Sequence, residues 1–255
     1  MRRSAIGKRT FDIIVAALIL LPLVPFLAAV IVILRITGER QAFYVQRDRI
    51  GFQGKKFPLV KFVTMVANSE SIGSKDVTVR NDPRVLPVGR VLRKTKVNEL
   101  PQLLNVLAGH MSIVGWRPLL EPGFKRYETR IQEALVTVKP GLTGIGSIIF
   151  RDEERILELS AKPYEECYRD DVLPYKGALE LWYLENESLW LDIKIILATA
   201  GAVVAPDSAF YTSWFPDIPQ PKRSSEITRV RGDFEPEELP GDAAVSPALM
   251  QLHRD

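Results

Sequence analysis

Between Arg93 and Leu119 the chain reads RKTKVNELPQLLNVLAGHMSIVGWRPL, and in it one carboxylate, Glu99, stands among cations. Arg93 and Lys94 precede it, Arg117 follows, and Arg151 comes after a glycine loop. A guanidinium fork matches phosphate oxygens, so arginines converging on one carboxylate suit a phosphate or pyrophosphate ligand. A plainer account is equally open: Asn98 as the cap of a helix, with Glu99 a favourable first-turn charge. Ser112 to Pro118 ends an apolar piece with a glycine turn that presents Arg117. Gly141-Leu142-Thr143-Gly144 either offers backbone amides to an anion or is an ordinary loop. No Walker lysine–serine arrangement and no dinucleotide glycine fingerprint is present.

Composition narrows the chemistry further. The 255 residues suffice for one sizeable core with an appended membrane element. A net charge of +3 is too small to argue for nucleic acid. Cys167 is the single cysteine, which excludes an internal disulfide and a thiolate zinc cluster. With His110 and His253 the only histidines, a histidine-based metal site or triad is a poor fit. Catalysis must fall to carboxylates, arginines and backbone.

Positioning begins with an uncharged run from Ile13 to Leu34. As a straight helix it would extend about 33 Å, comparable to a bilayer core. A cleaved signal peptide, a spanning helix and a re-entrant helix all compete. Pro22 and Pro25 lie near its middle, where each removes a backbone donor and favours a break. Arg2, Arg3, Lys8 and Arg9 precede the run and Arg35 and Arg40 follow it, so the positive-inside tendency draws both ends to the cytoplasm.

Downstream, Thr37 to Val66 reads as a small strand-containing region and Asn68 to Asp82 as a polar loop. Val85 to Leu107 has helical spacing, with Leu92, Leu100, Leu103, Leu104 and Leu107 able to share a face. Pro101 stands near a helix start and Gly109 at the end. Pro122 to Val136 reads as a charged helix, and Ser160 to Glu185 as a helix broken near Pro174. Leu189 to Ala205 is an apolar helix, either buried or lying at a membrane surface. From Trp214 onward prolines and acidic residues cluster, and the tail is expected to be disordered.

Taken in order, these pieces resemble the bacterial sugar transferase family, the monotopic phosphoglycosyl transferases. The resemblance runs through Arg9-Thr10-Phe11-Asp12, Lys61-Phe62-Val63-Thr64-Met65, Asp82-Pro83-Arg84, Gly89-Arg90 and Leu92-Arg93-Lys94. It continues through Glu99-Leu100-Pro101-Gln102-Leu103, Met111-Ser112, Gly115, Arg117-Pro118, Pro140 to Gly144 and Leu191 to Lys194. One such motif is weak, and this many in sequence are specific.

The resemblance implies an α+β, mainly helical protein: a re-entrant membrane helix in residues 1–36, a compact cytoplasmic catalytic domain with interfacial helices in 37–213, and a tail in 214–255. It implies transfer of a sugar phosphate from a UDP-sugar to a polyprenol (undecaprenyl) phosphate with release of UMP, at the cytoplasmic leaflet of the bacterial inner membrane. It implies Mg2+ as cofactor, with Glu99 helping to hold it, and it leaves room for a homo-oligomer. Lys61, Arg90, Arg93, Arg117, Thr143 and Arg151 are the expected phosphate-binding positions. In the family an Asp before the Glu attacks the sugar-linked phosphorus, and here Asn98 stands in its place. Either Glu99 takes over as nucleophile, or the chain is an impaired homologue that binds ligand as a membrane scaffold. His110 and Trp116 replace an acidic residue and a proline of the family pattern and are expected to bear on substrate preference. Val24 before Pro25 replaces a family Ser-Pro.

Overall fold

A computed structural model of the chain describes residues 5–66, 69, 82–204 and 214–231. Its architecture is α+β and mainly helical, as expected. It opens with α1 (Ala5–Ile36), and the break expected at Pro22 and Pro25 is corrected: the helix runs uninterrupted through both prolines. Among the described residues, α1 is the one helix long and apolar enough to cross a membrane. Its middle is open: Leu18, Leu21 and Val24 are 67, 70 and 51% exposed.

Both ends of α1 nevertheless dock on the same folded body. Near its start, Arg9 donates from Nη1 to the Val106 carbonyl (2.6 Å) and from Nη2 to the Leu107 carbonyl (2.7 Å). The buried Asp12 accepts from Ser112 Oγ (3.0 Å) and the Ile113 amide (3.1 Å). Lys8 Nζ lies 2.9 Å from Asp12 and 2.9 Å from the fully buried Asp192. Near its finish, Val30 and Leu34 pack against Ala42, Phe62 and Leu92.

The expected strand region is an antiparallel hairpin of β1 (Phe43–Ile50) and β2 (Lys56–Phe62), with a register shift between Gln46 and Arg49. The polar stretch from Asn68 to Asp82 lies almost wholly outside the described residues. The helix expected over Val85 to Leu107 is two: α2 (Pro87–Lys94) and α3 (Gln102–Ala108). Lys96 at φ 60 interrupts them, and a 3-10 turn at Val97–Glu99 carries the chain onward. The expected leucine face is not kept, since within α3 Leu103 is fully buried and the adjacent Leu104 is 47% exposed. Gly109 ends α3 at φ 84, the left-handed geometry that glycine adopts without strain.

Two short strands, β3 (Ser112–Val114) and β4 (Gly141–Thr143), pair in parallel. Between them the expected Pro122–Val136 helix is divided into α4 (Glu121–Phe124) and α5 (Thr129–Leu135). Beyond β4 come α6 (Ile145–Ile149), α7 (Glu153–Leu159), α8 (Tyr164–Cys167), α9 (Leu173–Glu185) and α10 (Leu189–Val204). The break expected near Pro174 takes the form of a π turn at Tyr168–Val172, which joins α8 to α9. Proline has no amide to donate and its ring crowds the carbonyl four residues back, so a widened turn relieves both conflicts. One side of α10 (Leu191, Ile195, Ala198) enters the core, while Trp190 and Leu197 are exposed.

The tail expectation is corrected for Trp214 to Arg231. Phe215, Ile218 and Ile227 are buried in the main core, and α11 (Glu226–Arg231) packs on α7. Glu226 accepts from the Ala161 amide at 2.8 Å and pairs with Arg229. These apolar residues are too widely spaced to read as one periodic element, yet each fills a separate place in the core. Residues 232–255 lie outside the described residues.

Candidate active site

The site forms where the ends of β3 and β4 face the turn before α3. Close backbone approach places it there. A Cβ on Gly141 would meet the Gly115 nitrogen at 2.1 Å, and one on Gly144 would meet the Gly115 oxygen at 2.1 Å. Only glycine permits that contact, which brings Thr143 and the Trp116–Arg117 segment together. The Gly115 amide donates to the Thr143 carbonyl (2.9 Å) and the Gly141 amide to the Trp116 carbonyl (2.8 Å).

From this crossing Arg117 reaches back, and its Nη2 donates to Glu99 Oε1 at 2.9 Å. Lys61, on β2, lies 3.9 Å from the same oxygen. The Glu99 side chain is only 14% exposed, so burial works against its charge. Arg117 and Lys61 overcome that and hold the carboxyl at about 2, ionised at any working pH. Burial brings Lys61 down to about 7, against the pull of Glu99. Arg49 is lowered to about 10, first by burial and then by Arg117. Arg117 is raised, chiefly by Glu99. An excess of cations around one ionised carboxylate leaves positive charge for a polyanionic ligand.

Glu99 does not occupy a capped helix start. Lys96 holds the position before the 3-10 turn, no side chain caps it, and Asn98 lies buried inside the turn. Asn98 Oδ1 has no hydrogen-bond partner among the described residues, and neither does Arg151 Nη1. Asn98, Glu99, Arg93 and Arg151 all line the cleft that contains Lys61 and Arg117.

Arg90 and Thr143, also expected as phosphate ligands, differ in their placement. Arg90 lies on the exposed side of α2 and does not line the cleft, because the glycine before it packs against the Thr64 backbone and turns the arginine outward. Thr143 does line the cleft, but its Oγ1 is 2.7 Å from Thr199 Oγ1, so a neighbouring helix occupies its hydroxyl. His110 stacks on Phe57 at 5.9 Å, and Trp116 is buried with Nε1 donating to the Val138 carbonyl (3.3 Å). Neither lines the cleft.

Two site residues escaped the sequence reading. Arg49 reaches the cluster because Asp48 adopts φ 71 at the β1 irregularity, and its Nη1 donates to the Pro118 carbonyl (2.7 Å). Glu180, on α9, is a buried carboxyl lining the cleft wall. The bulge-forming Asp48 leaves no pattern in sequence, but a Glu amid the apolar positions of α9 is a signal that could have been followed.

Among the described residues no group of three or more His, Cys, Asp or Glu side chains comes together to hold a metal. The donors that are present still fit magnesium, a hard cation that takes few protein oxygens and completes its shell with water and substrate phosphates. The unbonded Asn98 Oδ1 and the Glu99 carboxylate would hold it.

Similarity to known proteins agrees with this geometry. The chain is 33% identical over 223 residues to the undecaprenyl-phosphate galactose phosphotransferase of Salmonella typhimurium, covering 82% of this chain and 43% of that protein. It is 36% identical over 201 residues to the UDP-glucose:undecaprenyl-phosphate glucose-1-phosphate transferase of Klebsiella pneumoniae, covering 77% and 40%. It therefore spans less than half the length of these two relatives. Against the exopolysaccharide production protein ExoY of Sinorhizobium fredii it is 33% identical over 214 residues, covering 78% of this chain and 86% of that one. Residues 3–206 match the profile of bacterial sugar transferases, and the chain belongs to that family.

Proposed function

We propose that this protein is a phosphoglycosyl transferase that moves a sugar phosphate from a UDP-sugar to undecaprenyl phosphate and releases UMP. The observation that carries the reading is Glu99, ionised and held by Arg117 and Lys61 in a cation-rich cleft. Relatives named for this reaction support it.

In the proposed mechanism Arg117, Lys61, Arg49 and Arg151 bind the diphosphate and orient its sugar-linked phosphorus toward Glu99. A Glu99 carboxylate oxygen attacks that phosphorus. An O–P bond forms as the bond to the bridging oxygen breaks, and UMP leaves with the electron pair. An undecaprenyl phosphate oxygen then attacks the same phosphorus and breaks the Glu99–phosphorus bond, regenerating the carboxylate. Magnesium bound at this site supplies neutralisation of the phosphate charge. Relative to the Asp-Glu pair of the family, the roles are exchanged: Glu99 attacks, and Asn98 offers the neighbouring oxygen.

The cytoplasmic leaflet of the inner membrane is the proposed setting, with α1 re-entrant. Docking of both ends of α1 on one folded body, around an exposed apolar middle, supports it. A homo-oligomer is compatible with this arrangement.

A second reading, an impaired homologue that binds ligand without turnover, draws on Asn98, whose neutral amide cannot serve as an anionic nucleophile. One experiment separates the two. UMP release is measured in detergent with Mg2+, undecaprenyl phosphate and a panel of UDP-sugars, for the native chain, Glu99→Gln and Asn98→Asp. Lipid-dependent release by the native chain that vanishes in Glu99→Gln supports the transferase. Release only from Asn98→Asp supports the impaired homologue.

A further inference from the structure

Glu180 is 5% exposed on the cleft side of α9, and its Oε2 has no hydrogen-bond partner among the described residues. An unpaired buried carboxyl is costly to keep, and the usual compensation is missing. Lys176, one turn earlier, directs its ammonium to Glu153 at 2.5 Å. The Arg117 backbone amide lies close enough to favour the ionised form of Glu180. Burial, opposed only by Lys176 and that amide, raises the carboxyl to about 8, so it carries its proton near neutrality.

The surrounding fold makes room for this group. A Cβ on Gly146, in α6, would meet Glu180 Oε1 at 2.6 Å. Arg117 thus has two carboxyl neighbours of opposite character: its side chain holds ionised Glu99, and its main chain touches neutral Glu180. Phosphates are drawn to the cationic side. A neutral carboxyl both donates and accepts a hydrogen bond without charge, which is what an uncharged hydroxyl requires.

We propose that Glu180, seated against Gly146 and the Arg117 backbone, hydrogen-bonds a hydroxyl of the donor sugar and so contributes to sugar selection. This rests on the nucleotide-sugar reading above. It makes Glu180 a specificity residue of the site, distinct from the phosphate-binding cations.

The test is calorimetric titration of the full chain in detergent with UDP and with UDP-hexoses and UDP-N-acetylhexosamines. Native protein is compared with Glu180→Met, Glu180→Gln and Gly146→Ala. The native chain is expected to bind at least one UDP-sugar more tightly than UDP. Glu180→Met should reduce that preference about tenfold, the scale of one lost hydrogen bond, while leaving UDP affinity in place. Glu180→Gln, a neutral donor–acceptor of the same shape, should retain it. Gly146→Ala, which displaces the carboxyl without removing it, should lose it, and this keeps the test open if Glu180→Met fails to fold. The proposal is overturned if no UDP-sugar outbinds UDP, if Glu180→Met and Gly146→Ala keep the preference, or if Glu180→Gln loses it. Absence of binding to both UDP and UDP-sugars by native protein would overturn the nucleotide-sugar reading as well. Intact UMP release with unchanged sugar preference would count against Glu180 alone.

Discussion

Arg117 Nη2 donates to Glu99 Oε1 across 2.9 Å, joining the loop after β3 to the turn before α3. The pair sets both the charge of the carboxylate and its direction in the cleft. Glu99→Gln is expected to lower kcat by on the order of 10⁴-fold or more, as removal of a nucleophile does. Arg117→Lys keeps the charge but loses the planar fork, with an expected loss of roughly 10²-fold. Single-turnover measurement of UMP release checks both. Near-native rates in Glu99→Gln would remove Glu99 from the chemistry.

Lys61 gives the reaction an alkaline limit. Burial lowers its pKa to about 7, so the free protein loses this cation as pH rises through neutrality. Since kcat/KM reports groups of the free enzyme, it should fall on the alkaline side with an apparent pKa of about 7. Lys61→Arg, which stays charged, should move that limb upward. A limb that does not move in Lys61→Arg assigns it to another group.

Glu180 links pH to stability with a defined sign. Its folded-state pKa, about 8, is raised above the ordinary 4.5, so the folded protein binds more protons than the unfolded chain between those values. Stability from this group is complete below about pH 4.5 and falls as pH rises toward 8. Glu180→Gln removes the titration, so its melting temperature should decline less than that of the native chain from pH 5 to pH 8 in scanning calorimetry. Parallel declines would mean that Glu180 is not neutral in the fold.

The docking of α1 depends on a buried charge network. Lys8 lies between Asp12 and Asp192, and Asp192 accepts from Tyr183 Oη at 2.7 Å. Removing the shared cation leaves both buried carboxylates without a counter-charge, so Lys8→Ala should destabilise the protein by about 3–5 kcal/mol. Chemical denaturation in detergent reads the loss. A change within about 0.5 kcal/mol would show the network to be dispensable.

Topology is tested by cysteine labelling in a Cys167→Ser background, since the native thiol is buried. With Ala5→Cys and Glu39→Cys introduced singly, a re-entrant α1 predicts that both sites react from the cytoplasmic side of sealed vesicles. Labelling from opposite sides would establish a spanning helix.

Much of the molecule was legible because its signals are local. The apolar run of α1, the β1–β2 hairpin, the stop at Gly109 and the ordered motifs from Lys61 to Lys194 depend on neighbouring residues, so composition and spacing carry them. Glu99, Arg93, Arg117 and Arg151 were found in that way and Lys61 through the family resemblance, and all share one cleft. Arg90 is where linear reading failed, since proximity along α2 says nothing about which side faces the cleft.

By itself, then, the sequence determined the family, the membrane-length helix and most of the cationic set around Glu99. Tertiary structure decided which charges matter and in what state. The left-handed Asp48 turns Arg49 inward, burial draws Lys61 toward neutrality, and packing against Gly146 seats Glu180 beside the Arg117 backbone. Phe215 and Ile227 likewise join the core from a segment without helical or strand periodicity. Desolvation and charge–charge coupling depend on distances between segments remote in sequence, and those distances exist only once the chain has folded.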